Sequence, residues 1–204
     1  MVSLPDFSLQ QVLLRIVAIL VITAVHGLAL TLAARLLGDR GPEYDGRLTL
    51  NPFQHLDLIG AVVMFLFSFG WINPIKVDAR QFRTGRLGAL LLPLAGLLAV
   101  LAVALLLLAL RPLVVTTLPD SVAFTTLAVF NTIARMSATF IAINLIPLPP
   151  LTAGYALAAI RPGLPERILR QGLLVRLALA ALIALDPVRA LLLPLRELLS
   201  WVGL

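Results

Sequence analysis

The sequence predicts an all-α polytopic membrane protein, with about five to six transmembrane helices and a small β-hairpin or re-entrant segment after the first. Three observations carry that expectation. The 204-residue chain is 60% hydrophobic and 13% charged, with a mean hydropathy of +1.03, whereas a soluble domain is about 45–50% apolar and about 25% charged. The apolar residues are gathered into runs. Residues 87–110 are 24 positions without a charge, 58–75 are 18, 136–160 are 25, and 16–34 are 19, with Thr23, His26 and Thr31 as the polar side chains. About 20 such residues cross a bilayer. The polar residues, in turn, are concentrated between the runs, most densely in GDRGPEYDGRLTLNPFQHLD after the first one.

The elements follow in order. A first helix is expected over about 8–37. DGRLTLNP then offers Asp-Gly followed by alternating residues, a hairpin signal. A second helix covers about 58–71 and ends at Asn73-Pro74. KVDARQFRTGR forms a basic loop. The third helix covers 87–110 and the fourth about 122–145. A proline turn, LIPLPPLTAGYAL at 145–157, leads to a short helix over 155–160. One or two further helices fill 165–204, broken at Asp186-Pro187. All 204 residues are expected to form a single membrane domain.

Charge and cysteine content narrow the function classes. There is no cysteine, hence no disulfide and no thiolate metal site. Fifteen of the sixteen basic residues are arginine and the net charge is +6. The arginines are scattered and no aromatic platform accompanies them, so nucleic acid is not an expected partner. Loop charge facing anionic lipid accounts for the basic balance. The first ten residues carry only Asp6, and no small-residue cleavage pattern follows, so the first apolar segment is expected to be a retained helix. Loop 76–86 carries four basic residues and one acid, loop 161–170 three and one, and 111–120 one and one. The positive-inside rule places the first two in the cytoplasm. Four crossings would then put the N-terminus there too.

Ionisable groups within apolar spans are costly and draw attention. His26 lies in the first helix, with Arg15 and Arg35 towards its ends, and Arg135 lies in the fourth. Asn131, Arg135 and Thr139 recur every four residues and so share one helix face. They form either a buried polar site or a contact to a partner helix or an internal carbonyl.

The order of the short motifs adds to this. AVHGLALTLAARLLGD, GRLTLNPFQHLDLIG, FGWINPIKVDARQFR, LAGLLA and FNTIARMSATFIAINLIPLPPLTAGYAL follow one another along the chain. Together, over about residues 20–160, they resemble the small bacterial site-2 proteases, the intramembrane zinc metalloproteases. The resemblance implies a zinc held by two histidines of His-Glu-x-x-His and by the aspartate of a Pro-Pro-Leu-Asp-Gly loop, with the glutamate acting on zinc-bound water.

Carried onto this chain, the first histidine falls on His26. The glutamate position is Gly27, the second histidine position Leu30, and the aspartate position Thr152, followed by Ala153. The family's Gly-Pro and later asparagine on the third helix correspond to Gly96-Leu97 and Val100. One neutral imidazole is too few ligands for zinc, so no cofactor is expected.

His55 and Asp57 could rebuild a metal site with His26, or they could cap the second helix and fix the hairpin. The expected function is therefore that of a catalytically inactive relative. It would be an accessory or assembly subunit of a larger complex in the bacterial inner membrane, with other integral membrane proteins and lipid as partners. The alternative is an intramembrane protease with a rebuilt or residual site. A hydrolase built on Thr152 or Ser137 would need a base that no motif marks. A proton pathway would need intramembrane acids, which the four long runs lack.

Overall fold

The computed structural model describes residues 8–161, 164–169 and 172–184. In chain order the helices are α1 Leu9–Leu37, α2 Gly41–Tyr44, α3 Leu58–Phe67, α4 Arg86–Ala109, α5 Arg111–Thr117, α6 Asp120–Asn144, α7 Leu157–Ile160, α8 Leu164–Leu169 and α9 Gly172–Ala184. Short 3-10 turns sit at Pro52–Gln54, Ala79–Gln81 and Thr152–Ala156. The described residues contain no strand. Three helical segments are long and apolar enough to cross a membrane: Leu9–Leu37, Arg86–Thr117 and Asp120–Asn144. The helical class and the membrane setting agree with the sequence expectation. The count of five to six spans is replaced by three among the described residues, and the break at Asp186-Pro187 lies outside them.

α1, α4 and α6 form the bundle. Ala18, Ile22, His26, Leu30 and Ala34 are each no more than 1% exposed. They recur every four residues, so they make one continuous ridge on α1. Gly96 of α4 receives that ridge, since a Cβ there would press on His26 Cε1 and on Leu30. Ser8 starts α1 with a capping box, its hydroxyl accepting from Gln11 N while the Gln11 side chain accepts from Ser8 N.

The segment between α1 and α4 enters the bundle and returns to the end it left. α3 runs back alongside α1 and stops at Ser68, which has φ 64°. An extended stretch then climbs to Asp78, whose N–H bonds Asp39 Oδ2 at 2.8 Å, and Arg83 N reaches Leu37 O at 2.7 Å. Gly60 permits this tight return, because a Cβ there would overlap the Trp71 carbonyl. Loop 76–86 therefore lies at the C-terminal end of α1 rather than one crossing away. The short α7 and Pro165 pack near the same loop: Val77, Ala79, Phe82, Tyr155, Ala158 and Pro165 line one small cavity. The two basic loops thus share one face, and the N-terminus of α1 points to the other. This changes the parity inferred from four crossings.

The expected hairpin is a further correction. Residues 45–57 form turns held by local bonds. Asn51 N donates to Thr49 Oγ1 and Phe53 N to Asn51 Oδ1. The stretch is tied to the returning chain through Asn73 instead: Asn73 N donates to His55 O at 2.7 Å, and the Arg47 guanidinium donates to Asn73 O at 3.0 Å. Thr49 and Asn51 offer the backbone nearby side-chain partners, which compete with a strand ladder.

Asp57 caps α3, accepting from Gly60 N at 2.9 Å, and pairs with Arg176 of α9 at 2.8 Å. Its side chain is 2% exposed and that of Arg176 33%. Leu179 and Ile183 of α9 join Val63, Trp71 and Leu151 in a second apolar cluster beneath. Asn caps helices about as well as Asp, so Asp57→Asn isolates the ion pair. It is expected to cost about 1–3 kcal/mol and to speed tryptic cleavage at Arg176 in detergent. Asp57→Ala should cost about 1 kcal/mol more through the lost cap. Wild-type cleavage rates in both variants would refute the clamp.

Candidate functional site

The site is built where α1, α4, the end of α6 and the proline loop converge. α6 ends at Asn144, whose side chain is fully buried. Its Nδ2 donates to Gly70 O at 2.8 Å and to Phe140 O at 2.9 Å. Two carbonyl acceptors on one side fix the amide, so Oδ1 faces the loop. There it accepts from Thr152 N and from Thr152 Oγ1, each at 2.9 Å. The loop between them, with its cis Pro149-Pro150 bond, is thereby closed onto the helix that precedes it.

Thr152 Oγ1 also lies 2.8 Å from His26 Nε2. A hydroxyl has one proton. With that proton on Asn144 Oδ1, the His26 Nε2–H is the donor to Thr152. The chain of bonds then runs His26, Thr152, Asn144, Gly70. Phe140 meets the imidazole edge-on, with ring centroids 5.0 Å apart. The Gly96 backbone is close enough to act on the ring, yet His26 Nδ1 completes no hydrogen bond of normal geometry among the described residues.

Gly27 faces a different group. A Cβ at this position would overlap Cγ and Nδ1 of His55. The His55 ring therefore fills the volume into which any side chain at 27 would grow. His55 is 0% exposed, and its Nε2 donates to Thr49 O at 3.0 Å. Burial holds the imidazole below its ordinary pKa; the bond to Thr49 O works against this, and the positive Arg47 adds a smaller downward push. His55 serves here as a buried packing group. Leu30 is 1% exposed and packs on Gly96.

The residues singled out in the sequence are thus brought together in part. His26, Gly27, Leu30, Thr152 and His55 meet at one centre. Asp57 stands apart from it, committed to Gly60 N and Arg176. Asn131, Arg135 and Thr139 lie along α6 in contact through backbone carbonyls, Thr139 with that of Arg135 as well. Thr139 donates to Ser68 O at 2.8 Å. Arg135 is exposed, and its Nε reaches Asn131 O of its own helix at 3.3 Å. The residue the sequence reading passed over is Asn144. Its signal was present in NLIPLPPL, as the last polar side chain before the prolines.

One protein comparison bears on this arrangement. Over 144 residues the chain is 33% identical to the Bacillus subtilis protein named "Putative zinc metalloprotease YwhC". The match takes 67% of this chain, and the chain spans 64% of that protein's length, a little under two thirds. That likeness supports a site-2-protease-like family. No family model matches the chain, and no solved structure matches it.

The family implies zinc, and the side chains present here do not fit it. Zn–N and Zn–O bonds of about 2.0–2.1 Å at tetrahedral angles hold two donor atoms roughly 3.3 Å apart. His26 Nε2 and Thr152 Oγ1 are 2.8 Å apart and bonded to each other. Thr152 carries no charge, Leu30 has no donor atom, and His55 turns its Nε2 to Thr49. Among the described residues no three His, Cys, Asp or Glu side chains gather in a metal-holding group.

Proposed function

We propose that the chain is a site-2-protease-like membrane protein without hydrolytic activity, serving as a binding or structural subunit of a larger membrane complex. One observation carries this reading. The three side chains at the family's ligand positions, His26, Leu30 and Thr152, are engaged with one another's surroundings: His26 bonds Thr152, Thr152 bonds Asn144, and Leu30 packs on Gly96. The position of the general base is Gly27, with His55 lying across it. Peptide hydrolysis by this chemistry needs a metal-bound water and a carboxylate beside it, and this centre offers neither a ligand set nor room for the carboxylate.

What remains is a closed, hydrogen-bonded scaffold. It suits holding a neighbour in place, with other integral membrane proteins and lipid as the partners. In this reading all 204 residues act as one domain of the bacterial inner membrane. The positive-inside rule sets the face carrying loops 76–86 and 161–170 in the cytoplasm. A second reading, prompted by the name of the relative, is that of an enzyme with a rebuilt site around His26 and His55.

Elemental analysis separates the two. The protein is extracted gently from its native membrane after growth with added zinc, and co-purifying chains are identified at the same time. The expected result is less than about a tenth of a zinc per chain, together with a stoichiometric partner. One zinc per chain that His26→Ala removes would overturn the proposal in favour of the rebuilt site.

A further inference from the structure

The arginines that bound the spans fall into two levels. Arg15 and Arg35 are 20 residues apart on α1, which is about 30 Å along a helix and matches the hydrocarbon thickness of a bilayer. The second leg agrees. Arg135 to Asn144 and His26 to Arg35 are nine residues each, about 14 Å per leg, and Asn144 meets His26 through Thr152. The uncharged run 136–160 is closed by Arg135 at one end and Arg161 at the other. Arg86 and Arg111 close the α4 run, 25 residues apart, or about 37 Å, which a tilted helix accommodates. Arg35, Arg86 and Arg161 thus mark the face of the basic loops. By these rulers Arg15 and Arg135 lie about a bilayer's thickness from that face, and residues 120–134 of α6 reach beyond them.

These two arginines are close enough for their charges to interact. Arg15 is held by the end of α3, donating to Phe65 O at 2.6 Å and to Ser68 Oγ at 3.2 Å. There the carbonyl end of the helix favours a cation. Arg135 is the one exposed residue of α6 from position 127 to 144. Of its five N–H donors, the structure engages Nε with Asn131 O, and no described acid pairs with it. A second cation beside Arg15, facing outward with a free fork of donors, calls for an anion.

We infer that Arg135, backed by Arg15, binds the phosphate of a lipid headgroup on the face opposite the basic loops. A phosphodiester matches the guanidinium fork in charge and in geometry, and headgroup phosphates lie at the level where the two helical rulers place Arg135. The inference does not depend on whether the chain hydrolyses peptides.

The test uses the full chain in a non-ionic detergent, titrated with phosphatidylglycerol and followed by native mass spectrometry and by thermal unfolding. Wild-type protein should retain one more phosphatidylglycerol per chain than Arg135→Gln, with Arg135→Lys in between. Both variants should melt like the wild type when lipid-free, so that a folding defect cannot imitate the loss. Diacylglycerol, which lacks the phosphate, should neither bind nor stabilise.

Equal lipid retention in wild type and Arg135→Gln would overturn the assignment. So would inorganic phosphate stabilising the protein as strongly as the lipid, which would make the ligand a free anion. A transmembrane leucine peptide bearing one aspartate that displaces the lipid in an Arg135-dependent way would also overturn it, in favour of a partner helix.

Discussion

Replacing Asn144 by Leu is expected to be the most damaging single change in this chain. The amide satisfies four groups at once: the carbonyls of Gly70 and Phe140, and the N–H and hydroxyl of Thr152. The Phe140 carbonyl has the α6 ladder to fall back on, while the Gly70 carbonyl and the Thr152 N–H do not. A buried polar group without a partner costs about 1–3 kcal/mol, so the loss should reach about 3–6 kcal/mol. That is a large share of the roughly 5–15 kcal/mol that holds a domain together. Thr152→Val is the control. It removes the hydroxyl but leaves the Thr152 N–H bond to Asn144 in place, so it should cost less, about 1–3 kcal/mol. Thermal or denaturant unfolding in detergent measures both. If Asn144→Leu proves no worse than Thr152→Val, the amide is not the centre of the network.

Gly27 gives the second large effect, and one with a change of sign. Gly27→Ala would improve helix propensity by about 1 kcal/mol in open surroundings. Here the added carbon would overlap the His55 ring, and His55 Cβ would lie only 2.7 Å from it. The ring cannot swing aside without breaking its bond to Thr49 O. Overpacking of this kind costs about 1–3 kcal/mol or more, so Gly27→Ala should destabilise. In a His55→Ala background the obstacle is gone, and the same substitution should become neutral or stabilising by up to about 1 kcal/mol. The four proteins form a double-mutant cycle whose coupling term reads the contact directly. A coupling near zero would mean that His55 does not sit over Gly27. The cycle bears on function as well. A glutamate at 27, as the family's chemistry requires, would meet the same ring, so restoring that residue alone should yield a less stable protein rather than a protease.

Much of the architecture was legible in the chain because the bilayer writes it in composition. The long apolar runs locate α1, α4 and α6, and Ser8 and Gly38 bracket α1 within a residue. The hairpin was misjudged because Asp-Gly and alternation describe local preference only. Thr49, Asn51 and the distant Asn73 offered those backbone groups other partners. The four-crossing count failed at 58–75, where 18 uncharged residues are a ten-residue helix followed by an extended return. Hydropathy measures how apolar a stretch is and is blind to a reversal at Ser68.

The candidate site divides in the same way. The absence of a carboxylate at Gly27 and of ligand atoms at Leu30 was fixed by the sequence alone, since no fold can supply an atom the side chain lacks. Where His55 points, that Asp57 serves Arg176, and that Thr152 is clasped between His26 and Asn144 were decided by tertiary structure. Those partners lie 28, 119, 126 and 8 residues apart in the chain. The physical reason is that composition and local spacing govern what a segment can bury or bond, whereas the identity of a buried polar group's partner is set by how separate segments pack, whether across one turn or across most of the chain.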